Sequence, residues 1–183
     1  MKHFVITHKD NLDFARETQT YLKNIAIDTE LIVGETVDNK KYKRTNVLML
    51  NWIEVLLPKI IECDDDVCIF EDDVRMSRSL ADLPFDDYHI IWFGYRRGKL
   101  QNKNKRITGT QALYFKKEVL KDLKEHFSNY KRKIHLDHAM SKFCTEFAEK
   151  YNLYQTELSY CYEKDHTSLI SQDNWKKYTV PPK

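Results

Sequence analysis

Three consecutive carboxylates, Glu71-Asp72-Asp73, follow directly on the apolar run Val67-Cys68-Ile69-Phe70. Adjacent acids repel one another and cost stability unless a cation neutralises them, and a hard divalent ion with oxygen ligands does so. An apolar run that ends abruptly in charge is also how a central strand delivers side chains to the carboxyl edge of an open α/β sheet, where such sheets bind ligands. The same acids could instead open a loop or cap a short helix near Ser77. Asp64-Asp65-Asp66, at the other end of the run, reads as a solvated turn.

Hydrophobic spacing supplies the elements that must hold this motif. Residues 3–8 read as a strand, residues 11–25 as a helix with Leu12, Ala15, Leu22 and Ile25 on one face, and residues 29–34 as a second strand. Thr45 is a reasonable N-cap for a wide apolar helix carrying Val47, Leu48, Leu50, Trp52, Ile53, Val55, Leu56 and Leu57 until Pro58 strains it. Strands at 89–93 and 112–115 flank a polar basic segment, and a helix over 117–127 follows with Val119, Leu120, Leu123 and Phe127 on one face. A last helix begins at Asp137 with Met140, Phe143, Cys144 and Phe147 in register. The order β-α-β-α-β-β-β-α-α predicts an α/β/α sandwich with a mainly parallel central sheet, one domain over residues 1–183.

Composition sets the outer limits. With 183 residues, 42% hydrophobic, 32% charged and only four glycines and four prolines, the chain reads as one folded domain, neither disordered nor low-complexity. Apolar stretches such as Val47-Leu48-Met49-Leu50 fall far below the roughly 18 residues of a membrane span, so membrane insertion is not expected. The N-terminus runs straight into a strand pattern without a signal-like apolar core, and Cys63, Cys68, Cys144 and Cys161 form no CxxC pair. Buried thiols in a cytoplasmic protein are the expectation. The net charge of +2 hides basic clusters at Lys40-Lys41-Tyr42-Lys43-Arg44, across 96–106, and at Lys131-Arg132-Lys133.

The run Val67-Cys68-Ile69-Phe70-Glu71-Asp72-Asp73-Val74 resembles the EDD version of the acidic DXD motif in GT-A-fold, nucleotide-sugar-dependent glycosyltransferases, especially family 25, whose members include lipopolysaccharide galactosyltransferases. Residues 88–94 (Tyr-His-Ile-Ile-Trp-Phe-Gly) are similar to that family's strand ending in a leucine-glycine pair, and residues 107–115 to its glycine-led strand before a helix. Leu136-Asp137-His138-Ala139 resembles the later segment in which an aspartate opens a helix beside the acceptor. The resemblance spans roughly residues 60–170. In the N-terminal third the chain departs from it: residues 47–52 stand where the family has a Ser-His-containing helix, without those two residues.

What the resemblance implies is a Rossmann-like GT-A domain. Asp73 would bind Mn²⁺ or Mg²⁺ and through it the donor diphosphate, with Asp72 and Glu71 touching the metal shell or the donor ribose and sugar. Asp137 matches the general base of inverting enzymes, and its plain alternative is an N-cap. His166 resembles the C-terminal histidine that completes the metal shell, although a lone histidine is usually an ordinary one. Gly109 leads the donor-side strand, Thr7 and His8 would meet the nucleotide base, and Arg44 its phosphates.

The basic clusters are either solvated faces or a surface for a polyanionic acceptor, with Arg96, Arg97 and Lys99 as the acceptor-side cations. The compact, lysine-rich chain is similar to small bacteriophage glycosyltransferases that modify hydroxymethylated pyrimidines, which makes DNA the favoured acceptor and a bacterial surface glycan the alternative. Two other classes remain open on the residues alone. One is a metal-dependent nuclease or nucleotidyltransferase; the other is a non-catalytic DNA- or glycan-binding domain.

Overall fold

A computed structural model describes residues 1–34, 44–93, 111–131, 134–156 and 160–163, with residues 44–47, 162 and 163 described as backbone. Along the chain run β1 (Lys2–His8), α1 (Leu12–Asn24), β2 (Glu30–Gly34), α2 (Arg44–Asn51), a π-helical turn (Trp52–Leu56) and α3 (Leu57–Glu62). They are followed by β3 (Val67–Glu71), β4 (Val74–Met76), β5 (Ile90–Trp92), β6 (Ala112–Phe115), α4 (Lys117–Asn129), α5 (Leu136–Glu146), β7 (Leu153–Gln155) and β8 (Cys161–Glu163).

Six of the described strands form one sheet in the order β2-β1-β3-β6-β5-β7. β1 is parallel to β2 and β3, and β5 to β7, while β6 runs antiparallel to both β3 and β5. Every strand but β6 therefore ends at the same edge, marked by His8, Gly34, Glu71, Trp92 and Gln155. Alternation of side chains builds two cores from this sheet. Phe4, Ile6, Val67, Ile69, Ile90, Trp92, Leu113 and Phe115 face a layer made of α2, α3, α4 and α5. Val5, Cys68, Phe70, Ile91, Phe93, Ala112 and Tyr114 face the other way, towards Ala15 and Leu22 of α1 and towards Val74, Met76 and Cys161 of the small β4-β8 sheet. The sandwich expected from the sequence is present, and its second outer layer combines a helix with a two-stranded sheet.

Several local expectations are corrected. Ile25 is 43% exposed: the chain reverses at Ala26, whose φ is 64°, and Ile27 closes the end of α1. Thr45 lies inside α2, which starts at Arg44, so it is not an N-cap. Pro58 does not end the helix: the wide turn at Trp52–Leu56 resets the hydrogen bonding, and Pro58 sits in the first turn of α3, where a missing N–H costs little. The short helix expected near Ser77 is present as a single 3-10 turn at Leu80–Asp82, but Ser79 and not the acidic motif caps it, with β4 lying between them. Asp66 is no solvated turn residue: it accepts from the Tyr114 hydroxyl at 2.8 Å and from the Lys117 backbone N–H at 2.9 Å, so it caps α4 from another element. Cys68, Cys144 and Cys161 are buried as expected and Cys63 is half-buried.

His126 ties α4 to α5. Its ring is enclosed by Phe127, Tyr130, Phe143 and Phe147, with the Ala139 carbonyl 3.0 Å from Nε2 and the Glu146 carboxylate 3.3 Å from Nδ1. Burial outweighs both acceptors and holds the imidazole pKa below its ordinary value, so the folded protein prefers the neutral ring. The unfolded chain then takes up the proton first. Stability is full above the unfolded pKa of about 6.5 and falls as pH drops through it towards the folded pKa. The urea midpoint is expected to fall between about pH 7.5 and about pH 5.5, and to fall less in His126→Phe.

Candidate active site

β1 has β2 on one side and β3 on the other, so the chain leaves it first in one direction and then in the opposite one. At such a switch the loops beyond the strand ends part, which opens a crevice at the carboxyl edge. Ile6 lies beside Glu71 in the β1-β3 register, which brings the next residues, Thr7 and Asp72, together just above the sheet. The Thr7 hydroxyl donates to Asp72 Oδ2 at 2.5 Å across that switch. Asp72 is half-buried, and Asp73 is buried at 7% exposure. Glu71 ends β3 and donates its backbone N–H to the Gln111 carbonyl at 2.8 Å, which fastens the acidic turn to the start of β6.

The turn is also held from beneath. Thr18, fully buried in α1, donates its hydroxyl to the Asp72 carbonyl at 2.5 Å and accepts from Arg75 Nη1 at 2.8 Å. Beyond the turn β4 pairs antiparallel with β8, with Val74 beside Glu163 and Met76 beside Cys161. β8 thus runs towards the acidic turn and reaches the residue next to Asp73.

A second group of residues stands on the β2 side. Gly34 ends β2 beside His8, and a Cβ there would meet Asn51 Nδ2 at 2.6 Å and Cγ at 2.8 Å. Asn51 is the last residue of α2, immediately before the π-helical turn. Turns of that kind occur often at functional sites. α2 packs on α5, and α5 ends where the chain returns to start β7 at the far edge, so its first turn, with half-buried Asp137, lies towards the carboxyl edge. Asp137 is the second residue of α5 and His135 is its N-cap, so the alternative of Asp137 as a cap is corrected.

Of the residues expected to act, the structure brings Thr7, His8, Glu71, Asp72 and Asp73 to one edge, with Arg44 known only as the first residue of α2. His8 turns its ring to a neighbour: Nδ1 lies 3.1 Å from the Asp10 carboxylate. Gly109, His166, Arg96, Arg97 and Lys99 lie outside the described residues, as do Arg132 and Lys133 of the third basic cluster. Lys131 of that cluster pairs with Glu54. The described residues Gly34, Phe93 and Gln111 stand at the carboxyl edge. Thr18, Arg75, Gly34 and Asn51 were not singled out from the sequence. Thr18 had a signal, being a polar residue at the core spacing set by Ala15 and Leu22.

No group of three His, Cys, Asp or Glu side chains suited to a metal is found among the described residues. Asp72 and Asp73 offer carboxylate oxygens from a single turn. That donor set fits Mg²⁺ or Mn²⁺, which keep waters and take further oxygens from substrate phosphates, so the residues present suit such an ion.

The Gly34-Asn51 contact gives a direct test of how rigidly this side of the site is built. Gly34→Ala is expected to lower stability by about 1–3 kcal/mol through overpacking, and Asn51→Ala in the same chain to recover much of that loss. Urea unfolding of the two single variants and the double variant measures it.

No protein-family model matches this sequence, and no curated protein matches it. Solved structures do match its fold. A glycosyltransferase involved in the glycosylation of the major capsid of PBCV-1 superposes with a TM-score of 0.55 at 12% identity, over 85% of this chain and 81% of that one. A mutant Drosophila β1,4-galactosyltransferase 7, in complex with manganese, UDP-Gal and xylobiose, gives 0.53 at 10% identity over 86% of this chain and 66% of that one. A Bacillus anthracis structure assigned as a glucose-1-phosphate thymidylyltransferase, in complex with sucrose, gives 0.52 at 11% identity over 89% of both chains. At such identities the likeness concerns the fold and not the chemistry. The chain has the mixed α/β, GT-A-type fold that these glycosyltransferases share with a sugar nucleotidyltransferase.

Proposed function

We propose that this chain is a glycosyltransferase that moves a sugar from a nucleotide-sugar donor, a UDP-sugar, to an acceptor hydroxyl with the help of Mn²⁺ or Mg²⁺. The observation that carries this reading is the acidic turn: buried Asp73 beside Asp72, whose carboxylate is clamped by Thr7 at the β1-β3 switch. Two carboxylates concentrated in a ligand crevice are favourable when they share a cation. Asp73 and Asp72 would hold the ion, which when bound supplies positive charge to the departing nucleoside diphosphate. Glu71 and Thr7 serve the donor side, with His8 and Gly109 beside the nucleotide and Arg44 on its phosphates. His166 completes the metal shell, a role supported by the approach of β8 to Val74.

Asp137 acts as the general base in this reading. It takes the proton of the acceptor hydroxyl as that oxygen attacks the anomeric carbon opposite the leaving diphosphate, so the configuration inverts. Arg96, Arg97 and Lys99 belong to a run of basic residues without an acid between 96 and 106, which supports an anionic acceptor. DNA bearing hydroxymethylated pyrimidines is the acceptor proposed, with a family 25-like surface glycan as the alternative. A second reading, sugar nucleotidyl transfer, is favoured by the likeness to the thymidylyltransferase structure over 89% of both chains.

Thermal unfolding with Mn²⁺ and UDP, separately and together, tests the proposal. At 100 times Kd a ligand of the native state adds about 2.7 kcal/mol, or roughly 5–10 °C for a chain of this size. The shift is expected to need both ligands and to vanish in Asp73→Asn. UDP release from UDP-sugars in the presence of hydroxymethylated duplex DNA, and not of neutral oligosaccharide, supports the anionic acceptor. Pyrophosphate release from a nucleoside triphosphate and a sugar 1-phosphate would establish the second reading instead.

A further inference from the structure

Arg75 lies just beyond the acidic turn and is buried at 8% exposure. A buried guanidinium is tolerated only when its donors are used. Here Nη1 donates to Thr18 Oγ1 and to the Val74 carbonyl, both at 2.8 Å, and Nη2 to Glu17 Oε1 at 2.9 Å. The guanidinium carbon also sits 4.9 Å from the centre of the Tyr21 ring. The Tyr21 hydroxyl in turn donates to the Met76 carbonyl at 2.9 Å and accepts from the Met76 N–H at 3.2 Å. Glu17, Thr18 and Tyr21 occupy adjacent positions on one side of α1, so that helix grips the chain within the acidic turn, at Asp72, and beyond it, at Arg75 and Met76.

The direction of these bonds matters. A hydroxyl has one proton, and because Arg75 donates into Thr18 Oγ1, the Thr18 O–H is directed to its remaining acceptor, the Asp72 carbonyl at 2.5 Å. The peptide joining Asp72 to Asp73 is planar, so fixing that carbonyl fixes the direction in which Asp73 leaves the turn. Thr7 fixes the Asp72 carboxylate separately. We infer that Thr18, oriented by Arg75, is a positioning residue that sets the Asp72-Asp73 peptide for cation binding, an inference that rests on the metal reading given above. Thr18 and Arg75, both buried, act through the backbone between the two carboxylates. Groups that orient metal ligands in this way typically govern affinity by about 10–100-fold.

The test is Mn²⁺ affinity in the presence of UDP, measured by titration calorimetry and by water-proton relaxation, beside the unfolding midpoint of each metal-free protein. Thr18→Val keeps the volume and removes the hydroxyl, and is expected to weaken Mn²⁺ binding by about tenfold or more. Thr18→Ser restores the hydroxyl and is expected to bind as the wild type does. Leu123→Ala, a core truncation in α4 on the other side of the sheet, is expected to lower the unfolding midpoint while leaving Mn²⁺ affinity unchanged. Wild-type affinity in Thr18→Val, or an equal loss in Leu123→Ala, overturns the positioning role and leaves the metal reading standing. Absence of Mn²⁺ binding by the wild-type protein with UDP overturns the metal reading itself and this inference with it.

Discussion

Mutual repulsion among carboxylates at the end of a buried strand is the constraint around which this structure is arranged. Glu71, Asp72 and Asp73 leave β3 where the sheet splits around β1, and Asp73 is removed from most solvent contact. Water cannot screen the charges fully there, so the chain supplies fixed dipoles and one fixed cation. A hydroxyl from β1 meets one Asp72 oxygen, a hydroxyl from α1 meets its carbonyl, and the guanidinium of Arg75 lies behind the turn. These bonds cross between segments far apart in sequence, so the turn acquires its shape only once β1, α1 and β3 have assembled.

The reversed strand β6 matters for the same edge. Because it runs against β3 and β5, it carries the chain away from the carboxyl edge and starts α4 at the opposite one, where Asp66 caps it. α5 then descends to feed β7, so its own beginning lies on the side of the acidic turn. The alternation of partners along the sheet thus places the start of a helix, with its oriented backbone N–H groups and Asp137, on the side where the acids gather.

Much of this was legible in the sequence. Long elements with a strong apolar period, such as β1, α1, β3, β6 and α4, stand within a few residues of where spacing put them, because burial of one face leaves little choice of register. The placement of Glu71, Asp72 and Asp73 at a carboxyl edge followed from the same signal. What escaped was set by tertiary contact. β4, β7 and β8 are three residues each and owe their form to a partner strand, not to propensity. Asp66 looked like turn chemistry because the helix it caps begins 51 residues later. Arg75 drew no reading, since nothing local announces that its partners are Glu17 and Thr18. Ile25 was placed in the core by period alone, whereas the reversal at Ala26 hands that position to Ile27.

The π-helical turn between α2 and α3 bears on how the two ends of that long helix are used. An extra residue within one turn advances the helical phase by about 100°. Two segments on nearly one axis can therefore present apolar stripes in different directions, which is why the sequence from Leu48 to Ile60 reads as apolar on almost every side. The lower segment packs on α4 and the π-helical turn on β2, while the upper one packs on α5, with Asn51 against the end of β2. A helix with such a phase slip is a coupling between two mechanical parts: the lower half can be anchored in the core, while Asn51, at the joint, turns its side chain into the space that any side chain at position 34 would need.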